Sequence, residues 1–353
     1  MDITLIFNLK KKEENKPEDY CSEYDSEKTV LSIAEAIKKG GHQVNLIDAR
    51  EDLFVYFKNR KTDMVFNIAE GNGTKLRESE VPAILDMLDI PYTGSGVMTM
   101  AIALNKSLTK KILRGEGIVT PNSQLFVKGM EKLSPGLNFP LIVKPNREGS
   151  AKGILSSSVV NNEARLYEEI NKVVKGYKQE ALAEEFIEGK ELTVGVLANG
   201  SVNVLPILEI DFSSCRDTGE YFYSWRMKEY QGDVNLGLIP TFHCPARIDK
   251  ETEERVKRIA LECHEVIGCH DMSRTDIRLT KDNIPYVLEI NPLPGLDPDE
   301  SNFPMMAKAA GITYPEMINS ILESAFKRHL KGGKLSERNC PLRTRDAVST
   351  ATN

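Results

Sequence analysis

The stretch from residue 274 to 295, RTDIRLTKDNIPYVLEINPLPG, constrains the fold of this chain more than any other. Apolar and polar residues alternate over 275–279 and again over 285–290, which predicts two strands. The residues between them, Lys-Asp-Asn at 281–283, have the polar composition of a turn. The stretch therefore predicts two neighbouring strands joined as a hairpin.

Three oxygen-bearing side chains of this hairpin can meet on one side. Glu289 and Asn291 are two residues apart and would face the same way, with Asp276 on the adjoining strand. Hard oxygen ligands without histidine or cysteine suit Mg²⁺ or Mn²⁺, and Mg²⁺ in proteins usually also takes phosphate oxygens. These residues predict a metal and nucleotide site, although such a pattern in isolation is more often a solvated edge hairpin.

The composition excludes several classes of function. The 353 residues carry a net charge of -6 and a sequence pI of about 5.6, which argues against a nucleic-acid-binding surface. The chain opens with a short apolar strand rather than a signal peptide, and no apolar run reaches the length of a membrane span. We expect a cytoplasmic protein with small-molecule partners, and neither nucleic acid nor membrane as a partner.

Two Cys-His doublets, Cys263-His264 and Cys269-His270, raise the question of a metal site. Their spacing of six residues is poor for shared ligation from one helix. Residues 255–267 also carry an apolar stripe that uses Cys263 as a small hydrophobe. We interpret both doublets as structural.

The first part of the chain, about 95 residues long, alternates between predicted strands and helices. Strands are predicted at 3–7, 44–47 and 64–68, and helices at 30–37 and 79–88. This order indicates a parallel α/β layer, in which ligands bind at the carboxyl ends of the strands.

Polar residues gather at those strand ends. Glu70 and the glycine loop 71–73 follow the third strand, and a long polar insertion at 8–28 follows the first. The insertion would either lie over the binding cleft or form a loose loop, which is the commoner case for such segments.

A second candidate for nucleotide binding follows a predicted strand at 139–145. The strand ends near Lys144 and runs into a loop that contains Gly149, Ser150 and Gly153. Backbone N–H groups of such a loop can surround phosphate oxygens while the lysine supplies positive charge. The residue order differs from a Walker A loop, and glycine turns between strands are common, so the pattern is moderately specific.

Two further segments, 182–197 and 211–240, are candidates for parts of the nucleotide site. A hairpin with strands at 182–187 and 192–197 would place Phe186 and Ile187 as a purine wall, unless it is a plain hairpin with outward charges. The segment 211–240 is long, polar and aromatic, and loops of that length are more often functional than idle.

Helices are predicted on either side of these segments, as one helix over 98–115 and as terminal helices over 303–326. Residues 331–353 lack apolar periodicity and are predicted to form a disordered tail.

Six motifs occur in order along the chain: IPYTGS (90–95), NKSLTK (105–110), VKPNREGSAKG (143–153), EEFIEGKE (184–191), RTD (274–276) and LEINPLPG (288–295). Together they resemble the D-alanine–D-alanine ligase family of ATP-grasp enzymes, and the resemblance extends over roughly residues 1–328. It implies a three-domain ATP-grasp fold, α/β and α+β, with an N-terminal parallel α/β domain.

The domains that the resemblance implies are 1–96 on the substrate side, 97–188 as the central ATP-grasp subdomain, and 189–330 as the C-terminal subdomain with the metal site. A mobile lid is expected within the last of these, at about 211–240. ATP would lie between the central and C-terminal subdomains.

Carried over residue by residue, the resemblance assigns the motif residues to ATP, to metal or to the reacting groups. The assignments are Lys106 and Lys144 to the α- and β-phosphates; Glu148, Gly149, Ser150 and Gly153 to the loop over the phosphates; Glu184, Glu185, Phe186 and Ile187 to the adenine wall; Glu191 to the ribose hydroxyls; Lys228 to the lid, near the γ-phosphate; Asp276, Glu289 and Asn291 to two Mg²⁺ ions, or Mn²⁺; and Arg274, Gly295 and Ser150 to the reacting groups.

The implied reaction is an ADP-forming ligation. A substrate carboxylate attacks the γ-phosphate of ATP, and an amino-acid amine then attacks the acyl phosphate to form an amide. Positioning and charge neutralisation carry such a reaction without a protein nucleophile, and a closed lid protects the acyl phosphate from water.

The substrate half departs from the family pattern. Glu70 stands where the family has a histidine, and Arg77 lies in a segment that replaces a glycine-rich family loop. Glu70 would attract an ammonium and Arg77 a carboxylate or phosphate, or the two would pair with each other. Glu23, Asp25 and Glu27 are candidates for the family glutamate that holds the first substrate's ammonium, and Ser301 fits the second-substrate site only with a one-residue gap.

These departures suggest that at least one substrate is not D-alanine, although D-alanyl-D-alanine stays a candidate product. The nearest alternative is a specialised amino-acid ligase of a natural-product pathway, for example of mycosporines or peptides. A nucleotide-binding regulatory protein without catalysis is the alternative from another class. The resemblance also implies a homodimer, the common state in the family.

Overall fold

Three β-sheets and ten α-helices make up the part of the chain that the computed structural model describes, which is residues 1–11, 14, 16–73, 75–198 and 202–332. The N-terminal layer consists of β1 (Asp2–Phe7), α1 (Glu27–Lys39), β2 (Gln43–Asp48), α2 (Leu53–Asn59), β3 (Met64–Asn67) and α3 (Glu80–Met87). Its sheet has the order β2-β1-β3 with parallel pairing throughout, which confirms the predicted parallel α/β layer.

Helix α2 is not predicted from the sequence. Its sequence, LFVYFKN, is a short apolar run that does not distinguish a helix from a strand. The helix begins where the Asp52 side chain accepts a hydrogen bond from the backbone N–H of Val55 at 3.0 Å. Such a cap satisfies one of the N–H groups that the first turn of a helix leaves without a partner.

The single helix predicted over 98–115 is wrong, because two helices occupy this region: α4 (Val97–Leu104) and α5 (Lys106–Gly115). Asn105 separates them with a non-helical backbone (φ -90°, ψ 89°), and its side chain accepts a hydrogen bond from the N–H of Leu108. Asparagine favours this capping position over a helix interior. The break makes Lys106 the first residue of α5.

The central sheet contains β4 (Ser123–Phe126), β5 (Leu141–Pro145), β6 (Val159–Val160) and β7 (Ala181–Glu185), with α6 (Glu163–Gly176) between the last two. The strand order is β4-β7-β5-β6 and every pairing is antiparallel. One face packs against α6 through Leu141, Val143, Leu166 and Ile170. Lys144 and Glu184 lie on adjacent strands of this sheet, β5 and β7.

The largest sheet follows along the chain. Its strands and helices are β8 (Lys190–Ala198), β9 (Val202–Val204), β10 (Leu208–Asp211), α7 (Trp225–Glu229), β11 (Thr241–His243), α8 (Lys250–Ile267), β12 (Met272–Leu279), β13 (Pro285–Asn291), α9 (Asn302–Ala309) and α10 (Tyr314–Lys331). The strand order is β11-β10-β8-β12-β13, with β9 beside β8, and all pairings are antiparallel. The hairpin predicted around the turn at 281–283 is confirmed as β12 and β13. The hairpin predicted from strands at 182–187 and 192–197 is wrong, because β7 pairs within the central sheet and β8 within the C-terminal sheet.

One apolar core joins the N-terminal layer to this sheet. Leu5 and Ile33 of the first layer share a cluster of buried side chains with Phe303 of α9 and Ile321 of α10. The terminal helices therefore hold the first layer against the C-terminal sheet. The three sheets fall within the ranges predicted for the three domains, and that division stays a prediction.

The insertion at 8–28 lies over the cleft in its described residues, so the alternative of a loose loop is wrong for these. Leu9 pairs with Asp25 in a parallel bridge, and Cys21 and Asp19 are buried. The predicted disordered tail lies outside the described residues, except for residues 331 and 332.

The Cys-His doublets have the structural role that the sequence predicts. Cys263 lies on the buried face of α8, within an apolar core. The Nδ1 atom of the buried His264 is hydrogen-bonded to Ser273 Oγ at 2.7 Å. Burial raises the pKa of the Cys263 and Cys269 thiols to about 12. Within the described ranges, none of the helices has both the length and the apolar character needed to span a membrane.

Candidate active site

A cavity of about 440 Å³ opens where the three sheets meet. Its walls come from β5 and β7 of the central sheet, from β8, β12 and β13 of the C-terminal sheet, and from the segments that follow β1 and β3. All of the predicted site residues line this cavity except Glu27, Gly153 and Arg77. The structure thus brings together residues that lie more than 200 positions apart in the sequence.

The hairpin of β12 and β13 forms one wall of the cavity. Asp276 pairs directly with Glu289 in the strand register, and Arg274 pairs with Asn291. The Nδ2 atom of Asn291 lies 3.1 Å from Asp276 Oδ2 and 3.5 Å from Glu289 Oε1. The predicted convergence of the three oxygen-bearing side chains is therefore confirmed.

Cations already surround these carboxylates. Arg274 donates to both oxygens of Asp276, at 2.9 and 2.7 Å, and Lys106 Nζ lies 2.9 Å from Glu289 Oε2. Burial by itself would raise the pKa of Glu289, but Lys106 and Lys144 hold it well below the ordinary value. Glu289 is therefore ionised at neutral pH.

These residues fit a hard divalent cation. The donor set of two carboxylates and an amide carries no sulfur or imidazole, which is the preference of Mg²⁺ and Mn²⁺. The charges that Arg274 and Lys106 now balance, on Asp276 and Glu289, are those that a metal ion would neutralise. Asp276 also accepts a hydrogen bond from Thr193 Oγ1 at 2.6 Å, which orients one of its oxygens.

Two lysines share one buried carboxylate at the base of the cavity. Lys144 Nζ lies 2.5 Å from Glu184 Oε1, and Lys110 Nζ lies 3.0 Å from Glu184 Oε2. Burial would raise the pKa of Glu184, but the two lysines lower it. The group has one positive charge in excess, which favours an anionic ligand beside Lys144.

The glycine loop after β5 presents backbone N–H groups to carboxylates of the insertion. Gly149 N donates to Glu23 Oε1 at 2.5 Å, and Gly153 N donates to Asp19 Oδ2 at 3.0 Å. Gly153 has a φ of +74°, and a Cβ at this position would meet Pro145 Cγ at 2.6 Å, so glycine is required here. Carboxylate oxygens thus already accept hydrogen bonds from a loop that could equally surround phosphate.

Aromatic side chains line the predicted adenine end. Phe186 contacts Tyr221 and Phe222 edge-on, with ring centroids 5.8 and 5.7 Å apart. The Arg278 guanidinium lies 5.5 Å from the centre of the Phe186 ring and 2.8 Å from Glu191 Oε2. The predicted ribose residue Glu191 therefore has a cationic partner that the sequence analysis does not identify.

The other two residues predicted at the adenine wall, Ile187 and Glu185, both line the cavity. The Glu185 carboxylate accepts hydrogen bonds from the side chains of Asn122 and Asn138, each at 3.0 Å. Glu185 is therefore anchored to the residue just before β4 and to the loop before β5.

The lid segment lies on the glycine loop. The short helix α7 is capped at its start by Ser224, whose Oγ accepts a hydrogen bond from Met227 N at 3.0 Å. Lys228 Nζ lies 3.1 Å from Ser150 Oγ, and the Trp225 indole N–H donates to Ser22 Oγ of the insertion at 2.7 Å. The insertion and the lid together cover the loop.

The substrate end of the cavity is rich in carboxylates. Arg77 forms a short ion pair with Glu23 and lies 3.4 Å from Glu148, so the alternative in which Arg77 pairs with Glu70 is wrong. Carboxylate oxygens of Glu23, Glu70 and Glu78 all lie within 4.8 Å of one another. Among the described residues, no cation lies within salt-bridge distance of Glu70 or Glu78.

The crowding of carboxylates at the substrate end, together with burial, shifts their pKa values. Burial, with Glu78 and Glu23 nearby, raises the pKa of Glu70 well above its ordinary value. Burial likewise raises the pKa of Glu78 to about 7. Arg77 and Lys152, in contrast, hold the pKa of Glu23 below its ordinary value, although burial opposes them. A cationic group would relieve the repulsion between Glu70 and Glu78.

The segment after β13 closes the same end. Ser301 lies against Gly295, because a Cβ on Gly295 would meet Ser301 Oγ at 2.8 Å. Ser301 Oγ also accepts a hydrogen bond from Asp297 N at 3.1 Å. Asp25 faces Asp297 from the insertion, and burial together with that charge raises the pKa of Asp25 to about 7.

Comparison with known proteins identifies the family. A family model described as "D-ala D-ala ligase C-terminus" matches residues 116–323. A D-alanine–D-alanine ligase from Pseudothermotoga lettingae is 34% identical over 301 residues, which cover 85% of this chain and 94% of the relative. The chain belongs to the D-alanine–D-alanine ligase family. It is therefore an ATP-dependent ligase with an ATP-grasp fold.

Another protein and a solved structure are similar to this chain over most or all of their length. A Sinorhizobium fredii protein, y4sG, whose function is uncharacterised, is 33% identical over 315 residues, covering 86% of this chain and 89% of the relative. The crystal structure of a D-alanine–D-alanine ligase from Bacillus anthracis with ATP matches with a TM-score of 0.71 and 27% identity, covering 94% of this chain and all of that one. The match to the ligase structure thus covers nearly the entire chain, including its three sheets.

The sequence-based predictions omit Glu78 and Arg278, which line the cavity, and Asp19 and Lys110, which contact residues of its walls. Lys110 stands within the motif NKSLTK, so its position is a signal that could have been used. Glu78 is adjacent to Arg77, but a polar segment does not reveal which of its charges turn inward. Asp19 contacts a loop 134 residues away in the sequence, and no local pattern predicts that contact.

Proposed function

We propose that this family member joins the carboxylate of one amino acid to the amine of another, with ATP as the energy source and Mg²⁺ as the cofactor. The observation that carries the proposal is the Asp276-Glu289-Asn291 group, which lies in one cavity with Lys106 and Lys144. A nucleotide needs cations at its phosphates and hard oxygen ligands for its metal, and these five residues supply both.

The reaction balances without a protein nucleophile. An oxygen of the substrate carboxylate attacks the γ-phosphorus, the bond from that phosphorus to the bridging oxygen breaks, and ADP leaves. The amine of the second substrate attacks the acyl-phosphate carbonyl, the carbonyl-oxygen bond breaks, and phosphate leaves as the amine loses a proton. When bound at Asp276, Glu289 and Asn291, Mg²⁺ would neutralise charge on the phosphate oxygens.

The chain's own residues have defined tasks in this scheme. Lys106 and Lys144 neutralise phosphate charge, and Arg274 with the N–H of Gly295 stabilises the oxygen that gains charge when the amine attacks. Lys228 and Ser150, which already contact each other, close the lid over the γ-phosphate. A closed lid keeps water from the acyl phosphate.

The substrate end supports an amino acid with an ammonium group as the first substrate. Among the described residues, no cation lies within salt-bridge distance of Glu70 or Glu78, and burial with neighbouring carboxylates raises their pKa values, so an ammonium ligand would favour their ionised forms. Since Glu70 stands where the family has histidine, we propose that at least one substrate differs from D-alanine. We also expect a homodimer, which light scattering of the purified protein would measure.

Phosphate release from ATP tests the proposal. The purified enzyme would be supplied with ATP and Mg²⁺, and with D- and L-amino acids, first singly and then in pairs. The proposal predicts release that needs both Mg²⁺ and an amino-acid pair. Release with D-alanine alone would refute the substrate proposal but retain the ligase chemistry, and ATP binding without any amine-dependent release would refute the chemistry as well.

A further inference from the structure

Lys110 is a buried cation beneath the nucleotide site. It follows Lys106 by one turn of α5, and only 2% of its side chain is exposed. Its Nζ atom lies 3.0 Å from Glu184 Oε2 and donates to the backbone carbonyl of Leu288 at 3.0 Å. Because Glu184 lies on β7 and Leu288 on β13, this one side chain connects the central sheet to the C-terminal sheet.

Lys110 does not itself reach the cavity. Lys144 and Glu184 both line the cavity wall, whereas Lys110 lies behind them. All three side chains are at most 7% exposed. Any influence of Lys110 on a ligand therefore passes through Glu184 or through the backbone of β13.

The arrangement of charges gives Lys110 a specific task. Glu184 is now balanced by two cations, with Lys144 at 2.5 Å and Lys110 at 3.0 Å. Phosphate groups at the cavity wall would draw Lys144 away from Glu184, because a polyphosphate carries more negative charge than a single carboxylate. A buried carboxylate without a cation is costly and would repel the phosphates.

We propose that Lys110 is a positioning residue for ATP, because it stays ion-paired with Glu184 when Lys144 leaves Glu184 to contact the phosphates. The inference rests on the proposed nucleotide site. With Lys110 in place, Glu184 stays neutralised and in position in the bound state, and Lys144 is free to bind the nucleotide.

The contact with Leu288 supports the same role. Asp276 pairs with Glu289, and Ile277 pairs with Val287, so Leu288 is left without a partner residue at a bulge in the hairpin. A bulge commonly re-aims the side chains beside it. Lys110 satisfies the carbonyl of the bulged residue, which adjoins the metal-binding Glu289.

The test is a double-mutant cycle that reads ATP binding directly. Titration calorimetry with ATP and Mg²⁺, without amino acids, would compare wild type, Lys110→Met, Glu184→Gln and the double variant. Lys111→Met is the matched control, because Lys111 is the next residue on α5 and is exposed. We expect Lys110→Met to raise the dissociation constant about tenfold or more, and to raise it by less than about twofold in the Glu184→Gln background.

Further variants separate positioning from a general structural role. Lys110→Arg retains the charge and should recover most of the affinity, and it should leave kcat near wild type while Lys110→Met mainly raises KM for ATP. If Lys110→Met does not fold, Lys110→Gln replaces it, since glutamine keeps a donor for the Leu288 carbonyl without the charge. Lys110→Gln should then show the rise in dissociation constant and in KM for ATP that is expected of Lys110→Met.

Two results would overturn the inference. One is an unchanged dissociation constant in Lys110→Met, equal to that of the Lys111→Met control. The other is an equal loss of affinity in the wild-type and Glu184→Gln backgrounds, which would show that Lys110 does not act through Glu184. Wild-type protein that fails to bind ATP would instead refute the proposed function itself.

Discussion

Replacing Glu289 by glutamine should lower turnover severely and leave the fold intact. Loss of a buried ion-pair partner typically costs about 3–5 kcal/mol when it leaves a charge stranded. Lys106 would not be stranded, because it also donates to the carbonyl of Glu148 at 2.7 Å. Glutamine retains an oxygen acceptor as well, so we expect a loss of only about 1–2 kcal/mol.

The chemical cost of the same change should be much larger. Glutamine offers the metal one neutral oxygen in place of a carboxylate, and removing one electrostatic stabiliser of a transition state typically lowers kcat by about 100- to 1,000-fold. The assay is amino-acid-dependent phosphate release, measured beside the melting temperature of the same sample. A shift of 1–2 kcal/mol would lower Tm by no more than about 2–8 °C.

The matched control is Asp282→Asn, which removes a carboxylate from the exposed turn of the same hairpin. It should leave both turnover and melting temperature within error of the wild type. Near-normal phosphate release by the Glu289→Gln variant, at saturating Mg²⁺, would refute the metal assignment.

Three further predictions follow from the site. Gly153→Ala should weaken ATP binding more than Gly117→Ala, since both positions have a positive φ but only Gly153 is crowded; equal effects in calorimetry would contradict this. Glu70→His should shift the substrate profile toward D-alanine, and an unchanged profile would show that Glu70 does not contact the substrate. Glu78→Gln should raise the melting temperature at pH 8, because burial lifts the pKa of Glu78 to about 7 in the folded protein, above its ordinary value. Ionisation of this carboxylate costs stability progressively from about pH 4.5 to about pH 7 and by a constant amount above that, so the gain, on the order of 1–3 kcal/mol, should vanish near pH 4.5, and a gain that persists there would refute the explanation.

Local patterns predict the parts of the fold that are local. The β12-β13 hairpin follows from alternating residues around a polar turn, and the parallel first layer follows from its order of strands and helices. The break at Asn105 is also encoded locally, but the apolar run on either side conceals it. A single-residue cap decides there whether one helix or two are formed.

Long-range contacts account for most of what the sequence does not reveal. Glu23 was one of several candidate acids in the insertion, and its contact with Gly149 spans 126 residues. Arg77 pairs with Glu23 instead of Glu70, and it also lies 3.4 Å from Glu148, so its ion-pair partners come from the insertion and the glycine loop. The choice among partners of opposite charge depends on packing that no local pattern contains.

Isotope transfer tests the central claim most directly. The substrate carboxylate would be labelled with oxygen-18, and the phosphate released from ATP would be analysed by mass spectrometry for the pair of substrates that supports turnover. Formation of an acyl phosphate predicts one labelled oxygen in each phosphate released, because the attacking carboxylate oxygen leaves with the phosphorus. Unlabelled phosphate, released at the same rate as the amide product, would contradict the mechanism proposed for this ligase.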